Sequence, residues 1–146
     1  MASDERVVQA IERLMVESVG ITTIALAQAN PDLELSFPQW RVLVVVGSSE
    51  PIRVGAIAAR FGSAVPTTSR LVRRLERRGL VIAERDDADR RATVVRLTAA
   101  GQHMRAALIE CRRDLVRTAL ARTVEALSPD LLPGLEQIGE ALRTYE

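Results

Sequence analysis

Apolar residues recur at steps of three and four positions over residues 5–29, with Val7, Ile11 and Leu14 among the first of them. This spacing aligns them along one side of an α-helix, so we predict a helix over 5–29. Asn30-Pro31 ends that helix, because proline disfavours the helical conformation in the residue that precedes it.

The segment Ser36-Phe37-Pro38-Gln39 predicts the start of a second helix. Ser36 is a preferred N-cap residue, and Gln39 completes a capping box with it. Pro38 falls in the first turn, where the missing backbone N–H costs nothing. The helical spacing is then continued by Trp40, Leu43 and Val46.

Two more helices are predicted after a short extended segment at 51–53, and the turn Gly62-Ser63-Ala64 joins them. The first covers 54–60. The second covers 65–78 and ends at Gly79, a residue type that commonly caps helix C-termini.

A two-stranded hairpin follows these helices. Residues 80–83 and 93–97 have strand character, since both are rich in aliphatic and β-branched side chains. The acidic segment 86–89 between them is typical of a turn. A helix-turn-helix followed by such a hairpin predicts a winged helix.

Two helices complete the chain. Thr98 is expected to cap a helix that runs to about Leu127, and Ser128-Pro129 is expected to start the last one.

The predicted fold is therefore mainly α. A winged helix-turn-helix domain with a three-helix core and a β-hairpin wing occupies residues 35–98. Long amphipathic helices flank it at 1–34 and 99–146, and their apolar sides are most simply explained as a dimer core.

Charge changes this picture, because the formal net charge of +1 conceals a strong asymmetry. Residues 51–97 hold 11 arginines and 5 acidic residues, whereas the rest of the chain holds 9 arginines and 14 acidic residues. Such a distribution favours one basic working surface on a mildly acidic scaffold.

The basic residues fall on the second helix of the helix-turn-helix, on the side opposite Leu71, Val72 and Leu75. Hydroxyl and guanidinium groups contact base edges and phosphates when such a helix enters the major groove. Six residues are the candidate DNA contacts of this helix: Thr67, Thr68, Ser69, Arg70, Arg73 and Arg74. Of these, Arg74, like Arg77, is expected to meet phosphates or intramolecular acids.

The hairpin tip carries further arginines. Arginine on a narrow projecting wing suits the minor groove, whose negative potential is enhanced where the groove narrows. The candidate wing residues are Arg85, Asp89, Arg90 and Arg91, with Asp89 expected to hold Arg91 by a hydrogen bond. The sequence thus predicts binding to double-stranded DNA; the alternative is a winged-helix protein-interaction module that binds no DNA.

Other classes of function find little support. His103 and Cys111 lack metal-ligand spacing, and a single cysteine excludes an intramolecular disulfide. We find no nucleophile–base pair, paired carboxylates or glycine-rich phosphate loop, so we expect neither an enzyme nor a cofactor or metal. No apolar stretch is long enough for a membrane span, and we expect a cytoplasmic protein.

Three segments also resemble the MarR family of transcriptional regulators. Residues 35–43 look like the opening of that family's second helix, and 72–81 resemble the end of its recognition helix. Residues 86–91 and then 95–101 resemble its wing and exit. Pro66, close to the base-reading positions, departs from the family pattern and is expected to shift the start of the helix.

The resemblance implies a homodimer that reads a roughly palindromic operator. We expect this homodimer to act as a repressor that a small-molecule ligand releases. It implies that Asp89 pairs with Arg91 and that Arg91 enters the minor groove. In that family, a region for small-molecule effectors lies between the dimer helices and the winged domain. Chain order makes four residues the candidate effector contacts here: Val16, Trp40, Leu43 and Leu108.

Overall fold

The computed structural model describes residues 2–29, 35–122 and 131–143. The chain divides into two compact units, Met1–Leu115 and Val116–Glu146. Its elements in chain order are α1 Ala2–Ala29, α2 Phe37–Val46, β1 Ile52–Arg53, α3 Val54–Arg60, α4 Val65–Arg77, β2 Val81–Arg85, β3 Thr93–Leu97, α5 Ala99–Ala121 and α6 Leu131–Arg143.

The predicted mainly helical winged-helix fold is confirmed. Some predicted boundaries differ. α1 begins three residues earlier than expected, at Ala2, α4 ends one residue earlier, at Arg77, and β2 covers Val81–Arg85, where it pairs with β3, instead of 80–83. The predicted end of α5 at Leu127 and the Ser128-Pro129 signal lie outside the described residues.

The sheet is small and antiparallel, with strand order β1-β3-β2. β3 is central, because Val95 pairs with Ile52 on one side and with Ala83 on the other. The Glu50 carboxylate accepts a hydrogen bond from the Leu97 amide at 2.7 Å, which ties the loop before β1 to the end of β3. The predicted extended segment at 51–53 is thus the third strand of the wing sheet.

The core lies where α2, α4 and the sheet meet the first half of α5. It is aliphatic, as expected from a chain with only 3% aromatic residues. Its fully buried members include Val42, Leu43, Val46, Ile57, Leu75, Val95 and Leu108. Burial of these side chains from several elements holds the helix-turn-helix and the wing together.

Two predicted local signals are present at the helix ends. At the start of α2, the Ser36 amide donates to Gln39 Oε1 at 2.9 Å, so the capping pair forms. At the end of α4, Gly79 has φ +69°, a conformation that costs glycine little. This turn lets the chain reverse from α4 into β2.

The start of α5 is docked on the turn that follows α4. The Thr98 hydroxyl donates to Gly79 O at 2.6 Å and accepts from the Gly101 amide at 3.0 Å, so the predicted Thr98 cap is confirmed. The Thr98 amide donates to Leu80 O at 3.1 Å. Gly101 is buried, and a Cβ there would lie 1.9 Å from Leu80 O.

Apolar side chains remain exposed on both units. In the first unit, Thr22 and Ala25 near the end of α1 are buried, whereas earlier positions such as Leu14 (63% exposed) and Val16 (70%) are not. In the second unit, α6 exposes Leu131, Leu132, Leu135 and Leu142. Among the helices of the described residues, none combines the length and the apolar composition needed to cross a bilayer.

We expect Gly101→Ala to destabilise the protein strongly, because the new methyl group would meet backbone rather than a movable side chain. The free energy of unfolding should fall by about 3 kcal/mol, at the upper end for overpacking. Gly55→Ala in α3 is the matched control, since nothing lies within 4 Å of its added Cβ, and it should be neutral or stabilising. Chemical denaturation at one protein concentration measures both, and equal stability of the two variants would contradict the docking of α5.

Candidate nucleic-acid interface

Helix α4 has one buried side and one basic side. Val72 and Leu75 are 2% and 0% exposed and belong to the core. The opposite side presents an arginine row, defined as Arg70, Arg73, Arg74 and Arg77, and all four side chains are exposed. Because the core fixes the helix about its axis, the arginine row is held toward solvent.

The sequence-based placement of Thr68 on this exposed side is wrong. Thr68 is fully buried, and its hydroxyl lies 2.8 Å from that of Ser63 in the turn before the helix. Ala64 occupies the N-cap position and has no side-chain oxygen to offer as a cap. The Ser63–Thr68 hydrogen bond therefore joins the turn to the helix, and burial removes Thr68 from the accessible surface.

The other predicted residues at the start of α4 are accessible. Thr67 is exposed and Ser69 is half-buried. The helix begins at Val65 with Pro66 in its first turn, as the position of the proline in the sequence allows. The amides of Thr67 and Thr68 both donate to Ala64 O, so Pro66 does not interrupt the first turn.

The far end of α4 faces a different neighbour. Arg74 and Arg77 line an open cleft together with Arg78, Ser36 and Gln39, at the start of α2. Of the predicted arginines of α4, Arg70 thus lies in its N-terminal half and Arg73 just past its middle, while Arg74 lines the cleft beside α2.

The wing also presents its arginines to solvent. Arg85, Arg90 and Arg91 are all exposed, and Arg85 Nη1 donates to Arg90 O at 3.4 Å across the hairpin. A link from Glu76 Oε1 to the Ala83 amide, at 3.2 Å, joins α4 to β2. The basic tip therefore projects from a sheet that is attached to α4.

Asp89 contacts Arg91, but through the backbone. Its Oδ1 accepts a hydrogen bond from the Arg91 amide at 3.0 Å. The sequence predicts that Asp89 holds Arg91, and the described contact holds the main chain of Arg91 while its side chain stays exposed. The carboxylate thus shapes the tip of the wing.

A second carboxylate at the base of the tip makes a longer-range contact. Asp86 Oδ2 lies 2.6 Å from both Nε and Nη2 of Arg53, and its Oδ1 accepts from the Ala88 amide at 2.9 Å. The Ala88 amide and then the Arg53 guanidinium hold the pKa of Asp86 below the ordinary aspartate value. Interactions with Asp86 therefore contribute stability above that ordinary pKa, and the contribution is lost as the pH falls through the lowered value.

The four candidate effector residues are not all brought together. Trp40, Leu43 and Leu108 belong to one buried core, whereas Val16 is 70% exposed on α1. Beside this core, the guanidinium carbon of Arg112 lies 5.0 Å from the centroid of the Trp40 ring. Within the described part of the chain, Trp40 Nε1, Arg105 Nε and Arg112 Nε are buried and have no hydrogen-bond acceptor.

Sequence reasoning missed two residues near these sites. Arg53 occupies the N-cap position of α3, where a hydroxyl or acidic side chain is usual. This unusual residue type was the sequence signal that Arg53 has another role. Arg112 gave no local signal, because its proximity to Trp40 arises only when α5 packs near α2. Among the described residues, no group of three or more His, Cys, Asp or Glu is placed to hold a metal ion.

A buried core that turns an arginine row outward, next to a projecting basic hairpin, defines a class of protein. The fold and this surface are those of a winged helix-turn-helix DNA-binding protein.

Comparison with known proteins supports this class. The MarR family model matches residues 33–92. The HTH-type transcriptional regulator YfiV of Bacillus subtilis is 28% identical over 97% of this chain and 87% of its own length. The crystal structure of RV1404 from Mycobacterium tuberculosis has a TM-score of 0.70 and 26% identity, covering 97% of this chain and 92% of that one.

A third similar structure is that of CouR from Rhodococcus jostii RHA1 bound to p-coumaroyl-CoA. It has a TM-score of 0.69 at 22% identity and covers 94% of this chain and 91% of that one, so it shares the fold. The family model and these relatives support a DNA-binding transcriptional regulator that resembles the MarR family. The family resemblance predicted from the sequence is confirmed.

We expect Thr68→Val to lower stability without a specific loss of DNA affinity, because the Thr68 hydroxyl is buried and hydrogen-bonded to that of Ser63. The loss of this hydrogen bond should cost about 1 kcal/mol in the free energy of unfolding. Thr67→Val makes the same change one residue earlier, on an exposed side chain, and should leave stability nearly unchanged. Thermal unfolding and duplex binding at a temperature where both variants are folded test this; a larger affinity loss for Thr68→Val would contradict it.

Proposed function

We propose that the chain is a homodimeric, sequence-specific repressor that binds a pseudo-palindromic operator. In each protomer, α4 enters the major groove and the wing reaches the adjacent minor groove. Residues 35–98 act as the DNA-binding domain. Residues 1–34 and 99–146 together act as the dimerisation region.

One observation carries this proposal: Thr67 and Arg70 in the N-terminal half of α4, and Arg73 just past its middle, are exposed, while the other side of the helix is buried in the core. Helices of this motif place their N-terminal residues at base edges. Arginine binds guanine bidentately and threonine contacts bases or phosphates, so these side chains suit base reading. Arg74 and Arg77, nearer the far end of the helix, suit phosphates.

The wing supports the same assignment. Arg90 and Arg91 are exposed at the tip of the hairpin, and arginine on a projecting wing suits a minor groove. Asp89 restrains the backbone at Arg91. Arg91 is therefore the proposed minor-groove residue.

The exposed apolar side chains of α1 and α6 support the homodimer. Leu14 and Val16 on α1, and Leu132 on α6, are each more than 60% exposed. A second copy of the chain would cover such side chains symmetrically, and two copies would present two DNA-binding surfaces to a two-fold operator.

Salt-dependent duplex binding tests this function against the alternative of a protein-interaction module. A duplex selected by the wild-type protein from a random-sequence library serves as the probe. The affinity should fall steeply with salt, because neutralised phosphates release counterions. Arg91→Ala should weaken binding and reduce the salt dependence, while light scattering should show an unchanged dimer. The proposal would be rejected if the affinity did not change with salt concentration, or if the protein selected no duplex from the library.

Arg70→Ala separates base reading from phosphate contact. We expect a loss of about 1–3 kcal/mol on the selected duplex and a smaller loss on random duplex. Arg96→Ala, which removes an exposed arginine on β3, is the control for lost charge. Equal losses for Arg70→Ala on both duplexes would assign Arg70 to a phosphate instead.

We further propose that a small-molecule effector releases the DNA, and that it binds beside Trp40, Leu43 and Leu108. The support is the set of buried donors next to this core, Trp40 Nε1 and Arg112 Nε, which lack acceptors in the described residues. A buried donor without an acceptor is costly, so a ligand with an anionic oxygen would be favoured here. CouR, of the same fold, binds p-coumaroyl-CoA in its own structure.

Trp40 is the only tryptophan, so its fluorescence reports on this site. Among a panel of aromatic carboxylates, with the neutral amide of each as its matched control, we expect an acid to change Trp40 emission and to lower DNA affinity. Arg112→Gln should abolish the response while DNA binding persists, because the guanidinium would hold the carboxylate. An equal response to the amide, or in Arg112→Gln, would contradict the anionic effector.

A further inference from the structure

The ion pair between Arg53 and Asp86 joins parts of the chain that are 33 residues apart. Arg53 ends β1 and directly precedes α3, the first helix of the helix-turn-helix. Asp86 follows β2 at the base of the wing tip. β3 lies between the two strands, so the Arg53 side chain reaches across the central strand to Asp86.

The register of the sheet places both residues on one face. Arg53 pairs with Val94, and Val94 pairs with Glu84. Since alternate residues of a strand share a face, Asp86 lies on the same face as Glu84 and Arg53. The contact is therefore a brace across all three strands.

The two oxygens of Asp86 hold different parts of the wing. Oδ2 binds Arg53, and Oδ1 binds the Ala88 amide in the tip turn. The Asp86 amide also donates to Ala92 O at 3.0 Å, which closes the tip. One carboxylate thus connects the start of α3 to the turn that carries Arg90 and Arg91.

The remaining connection between β1 and the wing is short, because β1 contributes only two residues to the sheet. The Arg53 side chain also makes no capping hydrogen bond to α3, whereas a serine, threonine or aspartate at this position would do so. The side chain at this position therefore serves the wing and not the helix.

We propose that the Arg53–Asp86 pair is a positioning device that sets the angle of the wing relative to α4. It makes Asp86 an acidic residue that strengthens DNA binding. This inference rests on the proposed contact between the wing and the minor groove.

The sign of a charge-removal experiment tests the pair. An acidic side chain near the DNA repels phosphates, so removing one should by charge alone raise affinity. Asp86→Asn keeps an oxygen for the Ala88 amide but loses the ion pair. Asp87→Asn, at the next and exposed position, is the matched control for charge.

We expect Asp86→Asn to weaken binding to the selected duplex about two- to fivefold, the range of an exposed ion pair. Asp87→Asn should leave affinity equal or higher. In an Arg53→Gln background, Asp86→Asn should cause no further loss, because the partner is already gone. The melting temperature of Asp86→Asn should be only slightly lower than that of Asp87→Asn, because a partly exposed ion pair adds little stability.

Several results would overturn the positioning role. If Asp86→Asn binds DNA with equal or higher affinity than the wild type, the ion pair does not position the wing. A lowered melting temperature with unchanged affinity leads to the same conclusion, since the pair then contributes only to stability. An undiminished loss in the Arg53→Gln background shows that Asp86 acts without Arg53. Arg91→Ala, measured in parallel, separates the two proposals. If Arg91→Ala weakens binding and Asp86→Asn has no effect, only the positioning role of the ion pair is rejected. If Arg91→Ala leaves binding unchanged, both the wing contact with the minor groove and the positioning role are rejected.

Discussion

The burial of one side of α4 is the constraint on which the rest of this structure depends. Val72 and Leu75 pack in a core shared with α2, the sheet and α5, and Thr68 anchors the same side to the preceding turn. A helix held by three successive turns cannot rotate about its axis. Its arginine row is therefore presented in a fixed direction, which a helix tethered only at its ends would not achieve.

The position of the wing depends on contacts with that helix and on few strand residues. Glu76 links α4 to β2, the turn at Gly79 reverses the chain, and Thr98 docks α5 on the same turn. Most of these contacts are main-chain or main-chain to side-chain hydrogen bonds, which tolerate little displacement. Several hydrogen bonds thus attach the wing near α4, and the Arg53–Asp86 pair adds a contact closer to the tip.

Electrostatics and packing divide the molecule in the same way. The excess of arginine is confined to residues 51–97, while the flanking regions are acidic overall. A phosphate backbone is attracted to the winged helix and repelled by the flanking helices, which favours one orientation on DNA. The flanking helices expose leucine and valine instead, and such side chains suit contact with another protein surface.

The sequence by itself determined the types and order of the elements, their caps at Ser36, Gly79 and Thr98, the location of the basic surface and the resemblance to the MarR family. These features depend on neighbours within a few residues or on composition, so local patterns predict them. Only the tertiary structure decided that Thr68 is buried, that Asp86 meets Arg53 and that Arg112 lies over Trp40. Each of these depends on the exact rotation of a helix or the register of a strand. Helical periodicity locates the edge of the buried side only to within about one residue. For a residue at that edge, such as Thr68, the position of the neighbouring turn decides whether the side chain is buried.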